Sequence, residues 1–555
     1  MRGRHPAFVE PSKPAPPPVR RQPVPVAALF DPQGVVMMRP LIFPALLVAF
    51  SLVGQTPAGP AGQETPKAGA AQQPTALKLT LQGAIETSLK NNLQVQIAVE
   101  TRDFTRAGLM IEQGAFDWNL TSSLSIGKVQ DASRTQNFPG GPFTASETTT
   151  FARNFTLGSS KAFGWGGNLN LSYAPTYRFS KGTVNGGPET PFTSNPYDGS
   201  FSATYTQSLL RNFGRDASES RLIVARKSAQ AADLNFQKAI IDLVASTETL
   251  YWDVVFAQRN LENKQQTLAL AQKQLRENQI RVQVGTLAPI EVTSSEASVA
   301  QREQDIIAAE AQFANAKDAL IRALYPSSER PASLEPADAP SIQPLDMNEA
   351  AAEKQALANR LELKTARLDL ESKQALETAA SNRTLPQLDA FATYNGNAAS
   401  QIPSEGLTAV NKDLTKGAYP GYTVGLQFAM PIQNRAARGS QAQARANRRQ
   451  SELALRDLEL GITLEVRQAF RNLDASTKGV AAAEKTRIFR EKDLEAEQKK
   501  FENGMSTNFL VLSKQNDLDI AKSSELQSRI TYAKTVTALE KALGHLLEAR
   551  KLEVK

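Results

Sequence analysis

Two kinds of hydrophobic spacing divide this chain. Between residues 116 and 210 apolar side chains recur at every second position. Phe116, Trp118, Leu120, Leu124 and Ile126 alternate with Asp117, Asn119, Thr121, Ser123 and Ser125, and Leu169, Leu171, Tyr173, Tyr177 and Phe179 repeat the arrangement. Phe151, Phe155 and Leu157 mark a third segment, and Phe201, Ala203 and Tyr205 a fourth. Successive side chains of a strand point to opposite faces, so this period predicts strands with one apolar and one polar face. Leu388, Ala390, Ala392 and Tyr394, then Tyr422, Val424, Leu426 and Phe428, predict two more, separated by a polar loop over 397–418. Residues 116–210 hold 15 of the chain's 37 aromatics. That enrichment suits membrane-barrel strands with interfacial girdles and puts Trp118 and Trp165 near membrane interfaces. A soluble β-sandwich is the competing reading of the pattern alone.

Elsewhere the spacing is helical and long. Phe236, Ile240, Leu243, Thr247, Leu250, Val254, Ala257 and Leu261 alternate steps of four and three, and the series continues through Lys264, Leu268, Ala271, Leu275, Asn278 and Val282. A sustained 3.5-residue repeat predicts coiled-coil packing. A rod over 216–284 would be roughly 100 Å long at about 1.5 Å per residue. Lys264 and Asn278 sit on the seam, so its packing is not wholly dry. A returning helix is expected over 288–325. A second rod, 436–502, keeps Val466, Ala469, Leu473, Val480, Ala483, Leu494 and Phe501 in register and returns over 507–547.

The two rods are copies. QIRVQVGTLAPIEVTSSEASVAQ turns at Gly285 and QKKFENGMSTNFLVLSKQNDLDIA at Gly504, an offset of 219 residues that also relates Tyr251 to Phe470. Helical pairs lead into each half, LTLQGAIETSLKNNLQVQIAVE breaking at Asn91–Asn92 and LDMNEAAAEKQALANRLELKTARLDL at Asn359–Arg360. A repeat of this size implies two similar halves, here 77–326 and 345–548, with a linker at 327–344 and a tail at 549–555. Glycine at both turns suits the positive φ of a helix C-terminus, although such a cap by itself need touch no partner.

Composition narrows the compartment. Residues 1–36 are Pro-rich and Arg-dotted, as in a disordered extension or an over-extended start site. From Met37 a basic start and the apolar run Leu41–Val53 read as a signal peptide over 37–54, followed by a linker over 55–76. Without the first 54 residues the net charge falls from +7 to +3, too little and too dispersed for a nucleic-acid surface. There is no cysteine, hence no disulfide, thiolate metal site or lipid-bearing cysteine. His5 and His545 are the only histidines, and the four methionines past the leader, Met110, Met347, Met430 and Met505, are scattered. No GxSxG, HExxH or phosphate-binding glycine loop occurs. No enzyme, cofactor or metal is expected.

Paired helices, alternating strands, two very long rods and two glycine turns together resemble the TolC-like outer-membrane efflux family over about residues 77–548. The QSLLRNFGR stretch at 207–215 is similar to that family's strand-to-rod junction, with Ser208 in place of a proline. The resemblance implies a mixed α and β fold: a homotrimer sharing one outer-membrane β-barrel, continued by a periplasmic α-helical coiled-coil barrel. It implies a passive exit duct in outer-membrane lipid, served by an inner-membrane pump through a periplasmic adaptor. Six strand candidates are present; four core strands per protomer are expected, with six as the alternative. The periplasmic tip would comprise Val284, Gly285, Thr286 and Leu287 with Asn503, Gly504, Met505 and Ser506, where the adaptor docks. Of the family's gate, Glu291 supplies the carboxylate after the first turn. Phe501 lacks the gate tyrosine's hydroxyl, Ser506 replaces the arginine, and Leu510 and Ser513 replace aspartates. Glu291 would pair with Lys499 or Lys500 of the neighbouring second repeat, or else serve only as a helix cap. The rival classes are a non-channel periplasmic coiled-coil adaptor and a structural stalk; two rods each preceded by aromatic strands argue against both.

N-terminal sequencing of protein extracted from membranes should find the mature chain beginning after about residue 54. A mature chain that retains Leu41–Val53 would contradict export.

Overall fold

The structure, a computed structural model, describes residues 77–552 except 133, 139–140, 185–186, 192–195, 327–333, 341, 343–347 and 401–404. The leader, the signal segment and most of the 327–344 linker therefore lie outside the described residues.

The first half runs β1 (Leu77–Leu79), α1 (Leu81–Asn91), α2 (Leu93–Gly114), β2 (Asn119–Asp131), β3 (Arg134–Phe138), β4 (Gly141–Ala162), β5 (Gly167–Val184), β6 (Thr190–Pro191), β7 (Tyr197–Ser208), α3 (Arg215–Ser218), α4 (Ser220–Gln283) and α5 (Ile290–Leu324). The second runs β8 (Leu334–Pro336), α6 (Glu349–Asn359), α7 (Leu361–Asn382), β9 (Gln387–Ser400), α8 (Gly406–Lys416), β10 (Pro420–Ala429), α9 (Arg435–Glu502), α10 (Asn508–Leu543) and α11 (Leu546–Ala549). The predicted rods are α4 and α9, of 64 and 68 residues, each about 100 Å long.

The repeat is visible in hydrogen bonds as well as in order. Asn92, in extended backbone, ends α1 and caps α2, and its side chain donates to the Ala323 carbonyl near the end of α5. Arg360 breaks the second pair and donates to the Ala542 carbonyl near the end of α10. Those two acceptors are again 219 residues apart. One location is thus secured by an amide in one half and a guanidinium in the other.

β10, β9, β7, β5, β4 and β2 form one antiparallel sheet in that order, with β3 and β6 as short additions to β4 and β5. This corrects the expected four core strands. All six alternating segments pair, because each meets a neighbour whose apolar and polar faces match its own in register. The register aligns their faces. Tyr422, Tyr394, Ala203, Leu171, Ser159 and Leu120 stand in one row across the sheet, and Thr423, Thr393, Thr204, Asn170, Ser160 and Asn119 in the next. Alternate rows project to opposite faces, so one face is mainly apolar and the other mainly Ser, Thr and Asn. The 397–418 segment is also corrected: β9 extends to Ser400, and α8 occupies 406–416.

Beside the sheet the helices pack in rows. α2 packs on α4, α4 on α7 and α7 on α9; farther along, α5 packs on α4, α4 on α10 and α10 on α9. Two buried polar layers lie between α4, α5 and α10. Asp519 meets Lys264 at 2.5 Å, Arg302 at 3.4 Å and Asn263 at 3.1 Å. Nearer the turns, Asn278 donates to Ser295 at 2.8 Å and Asn508 at 2.9 Å. The two polar seam residues of the rod, Lys264 and Asn278, each anchor one layer. A shift of one helical turn would leave these groups buried without partners, so the layers hold the register of the three helices.

Asp519→Ala should therefore destabilise the helical region by about 3–5 kcal/mol, because two cations keep their burial and lose their anion. Thermal loss of the helical circular-dichroism signal in detergent measures it. An unchanged transition would show that the layer does not hold the helices together.

Candidate functional site

Two surfaces carry the functional reading: the wall formed by sheet and helices, and the tip formed by the glycine turns. The wall is open at both edges. β2 is exposed along its whole length and β10 along nearly all of it. On the apolar face Val424 of β10 is 81% exposed, beside Tyr422, Leu426 and Phe428, and at the other edge Ile126 of β2 is 72% exposed, beside Leu120 and Leu124. Exposed apolar side chains gathered along an edge mark an interaction surface. The helix row ends at the same two sides, because α2 leads into β2 and α9 follows β10. Ile97, Phe104 and Ile111, seven residues apart, lie exposed on α2, and Leu453, Leu460 and Leu464 on α9. Among the described helices none is long and apolar enough to cross a membrane.

Trp118 and Trp165 lie at the helix-proximal end of the sheet. Trp165 stacks on Phe163 with ring centres 4.6 Å apart and donates to the Tyr205 hydroxyl at 3.1 Å. Lys161 reaches over both Trp118 and Phe163. Rings with an apolar body and a polar edge, grouped beside a cation, have the chemistry of a membrane–water boundary. The Trp165 carbonyl accepts from the Gly214 amide just before α3, which ties this belt to the start of the helices.

At the tip both turns have the same construction. Gly285 has φ 75° and Gly504 φ 72°. Thr286 donates to the Arg281 carbonyl and Gly285 to that of Val282, while Met505 and Gly504 donate to Lys500 and Phe501. These paired bonds close a helix end whose next residue must be left-handed. A Cβ at either glycine would meet nothing nearby, so the requirement is conformational rather than spatial. Val284, Gly285, Thr286, Asn503, Gly504 and Met505 are exposed, while Leu287 and Ser506 are half-buried. Phe509, also exposed, adds an apolar group that the sequence reading did not single out.

The candidate gate residues are dispersed within one chain. Lys499 bonds Glu495 at 2.7 Å and Lys500 bonds Glu497 at 3.2 Å, each on its own helix. Ser506 also donates to Glu497, and this hydroxyl together with Lys500 holds that carboxyl below the usual range. Phe501 is buried with Leu494, Val511 and Leu518, against Leu287, and Arg281 lies over its ring at 4.9 Å. Its apolar ring serves the tip core. Glu291 is in the first turn of α5, and its carbonyl accepts from Ser295 at 2.9 Å. Asn508 donates to Ser295 and, at 3.4 Å, to Glu291's carbonyl. Of that buried trio only Asn278 carried a sequence signal, as a polar residue on an apolar seam.

A model of a family described as outer membrane efflux protein matches residues 169–324 and 353–545. The outer membrane protein TolC of Vibrio cholerae is 26% identical over 342 residues, covering 60% of this chain and 74% of that protein. The solved structure of VceC, an outer membrane protein of the same species, superposes with a TM-score of 0.60 at 15% identity, covering 84% of this chain and 96% of that one. CusC, whose structure concerns folding and transmembrane channel formation, gives a TM-score of 0.62 at 15% identity and covers 87% and 99%. The chain belongs to the outer membrane efflux protein family.

Proposed function

We propose that three copies of this chain close into one passive exit duct, which receives its cargo from an inner-membrane pump through a periplasmic adaptor. The observation that carries this reading is the coincidence of open edges. The sheet ends at β2 and β10, and the helix row beside it ends at α2 and α9. Unpaired strand edges do not persist in lipid. β2 and β10 run antiparallel in a meander of even strand number, so β10 of one copy can pair with β2 of the next. The same closure covers the α2 stripe with the α9 stripe.

Three six-stranded sheets give eighteen strands, a size at which barrels of about 16–18 strands leave an aqueous channel. With the aromatic face toward lipid, the lumen is lined mainly by Ser, Thr and Asn. This hydroxyl-rich wall forms hydrogen bonds and carries few charges, Asp131, Arg178, Asp198 and Asp389 among the described strand residues of each copy, which suits a duct whose selectivity lies upstream. The tip turns, with Val284, Thr286, Asn503 and Met505 outward, supply the adaptor-docking surface.

The gate is proposed at the same level. α5 and α9 are the outer helices of the lower row, so in a closed ring Glu291 of one copy comes beside Lys499 and Lys500 of the next. Lys499 holds an exposed i,i+4 pair with Glu495, which water screens and which is readily exchanged, while Lys500 holds the buried Glu497 carboxylate from its own exposed position.

Because the chain has no cysteine, closure can be tested with Val424→Cys combined with single cysteines stepped over 120–126. Oxidation should give a ladder of covalent dimers and trimers at one register. A stable monomer in mild detergent, with no cross-link at any step, would overturn the trimer. In planar bilayers Glu291→Gln should raise single-channel conductance, and charge reversal at Lys499 or Lys500 should do likewise. Unchanged conductance with a lower melting temperature would instead mark Glu291 as a cap.

A further inference from the structure

Among the described residues of the sheet region, the segment between β9 and β10 holds the one short amphipathic helix, and its location is informative. α8 packs on β7 and β9. Val410 is fully buried there, with Leu407 and Leu414 half-buried on the same side. The sheet is notched to receive them. A Cβ on Gly199 would come within 2.4 Å of Val410 Cγ1 and 3.3 Å of Leu414 Cδ1, and one on Gly396 within 3.7 Å of Leu414 Cδ2. The Tyr173 hydroxyl donates to Asn411 Oδ1. Gly406 lies against the Tyr197 ring, and Gly417, at φ 62°, beside the Tyr394 hydroxyl.

Every one of these seats is on the apolar face. Tyr173 stands opposite Phe201, Phe201 opposite Gly396, and Tyr177 opposite Tyr197, all in the rows that carry the aromatic side chains. The helix thus lies outside the wall, on the surface that meets lipid, and not in the lumen. Its outward side exposes Thr408, Lys412, Thr415 and Lys416. Such a surface cannot face hydrocarbon, where each unpaired polar group costs several kcal/mol. A helix with one apolar side seated and one polar, lysine-bearing side outward belongs at the level of the headgroups.

Its height agrees. Gln207 bonds the Trp165 carbonyl and marks the helix-proximal belt, while Gly199 marks the α8 seat on the same strand. Eight residues separate them, about 27 Å along a strand at ~3.4 Å per residue, or about 20 Å across the membrane at a tilt near 40°. Outer-membrane barrels carry an apolar band about 25 Å tall. That separation is a few ångström short of one such band, which puts α8 at its rod-distal boundary, and β4 and β5 continue beyond α8.

We propose that α8 is an interfacial anchor: it lies in the phosphate-bearing headgroup layer at the rod-distal end of the barrel, with Lys412 and Lys416 toward the phosphates, and sets the depth of the barrel. The inference rests on the barrel reading of the sheet, and its test separates the two.

Nitroxides are attached to Thr408→Cys, Lys412→Cys and Thr415→Cys, to Val424→Cys in the apolar band, and to Lys478→Cys on the exposed rod, in the full chain reconstituted into vesicles of phosphatidylethanolamine and phosphatidylglycerol. Power saturation with oxygen and with a nickel chelate reads depth. Val424 should have an oxygen-to-nickel ratio several-fold above Lys478, and the three α8 sites should fall between them at headgroup depth. Gly199→Leu should unseat the helix and move its labels to the Lys478 value without moving Val424. α8 labels that match Lys478 in the parent protein, or that stay in place in Gly199→Leu, would overturn the anchor while leaving the barrel intact. A Val424 label that itself matches Lys478 would overturn the barrel reading, and the anchor with it.

Discussion

Backbone hydrogen bonding at the edges of the sheet governs this structure. Each strand presents amide and carbonyl groups at both sides, and in lipid there is no water to satisfy them. Four of the six long strands have both neighbours within the chain; β2 and β10 each have one. The chain therefore carries an incomplete wall, and the membrane makes that incompleteness expensive. The exposed stripes of α2 and α9 stand at the same two sides, so one seam would satisfy polar groups in the sheet and bury apolar ones in the helices.

A seam of that length needs helices that do not slide. Coiled-coil packing supplies area but little register, since one leucine resembles the next. The buried charge of Asp519 between Lys264 and Arg302, and the amide–hydroxyl trio of Asn278, Ser295 and Asn508, have single low-energy alignments. Near the middle of the molecule, Glu248 is fully buried and receives Arg550 from the C-terminal segment and Thr537 from α10. The residues assigned to a tail thus hold the rod in place. These polar contacts cost desolvation, and what they return is specificity of alignment.

Much of this architecture is legible in the residues because its signals are local and periodic. The 3.5-residue series of α4, the positive-φ glycines at 285 and 504, and the breaks at Asn92 and Arg360 are properties of short stretches. Lys264 and Asn278 stood out as polar residues on an apolar seam, and both anchor buried layers. Strand number was less legible, because whether an alternating segment pairs depends on distant neighbours, as Leu171 on Ala203 and Ser159. The α8 helix is hard to see in the sequence because Leu407, Val410 and Leu414 are spaced among polar residues in a predominantly polar stretch. Phe501 illustrates the remaining limit. Its position in the sequence resembles a gate, but a ring without a hydroxyl gains more from burial beneath Arg281 than from facing water.

The central claim is that one chain supplies one third of a wall, with β10 meeting β2 of the next copy. An electron cryomicroscopy map of the protein in lipid nanodiscs tests it most directly, since strands and helices can be counted in cross-section. The account predicts eighteen strands in three sectors of six, each joined to its neighbour between β10 and β2, above a ring in which α9 of one copy lies beside α2 of the next. A barrel built from four strands per chain, or a sheet closed within a single copy, would contradict it.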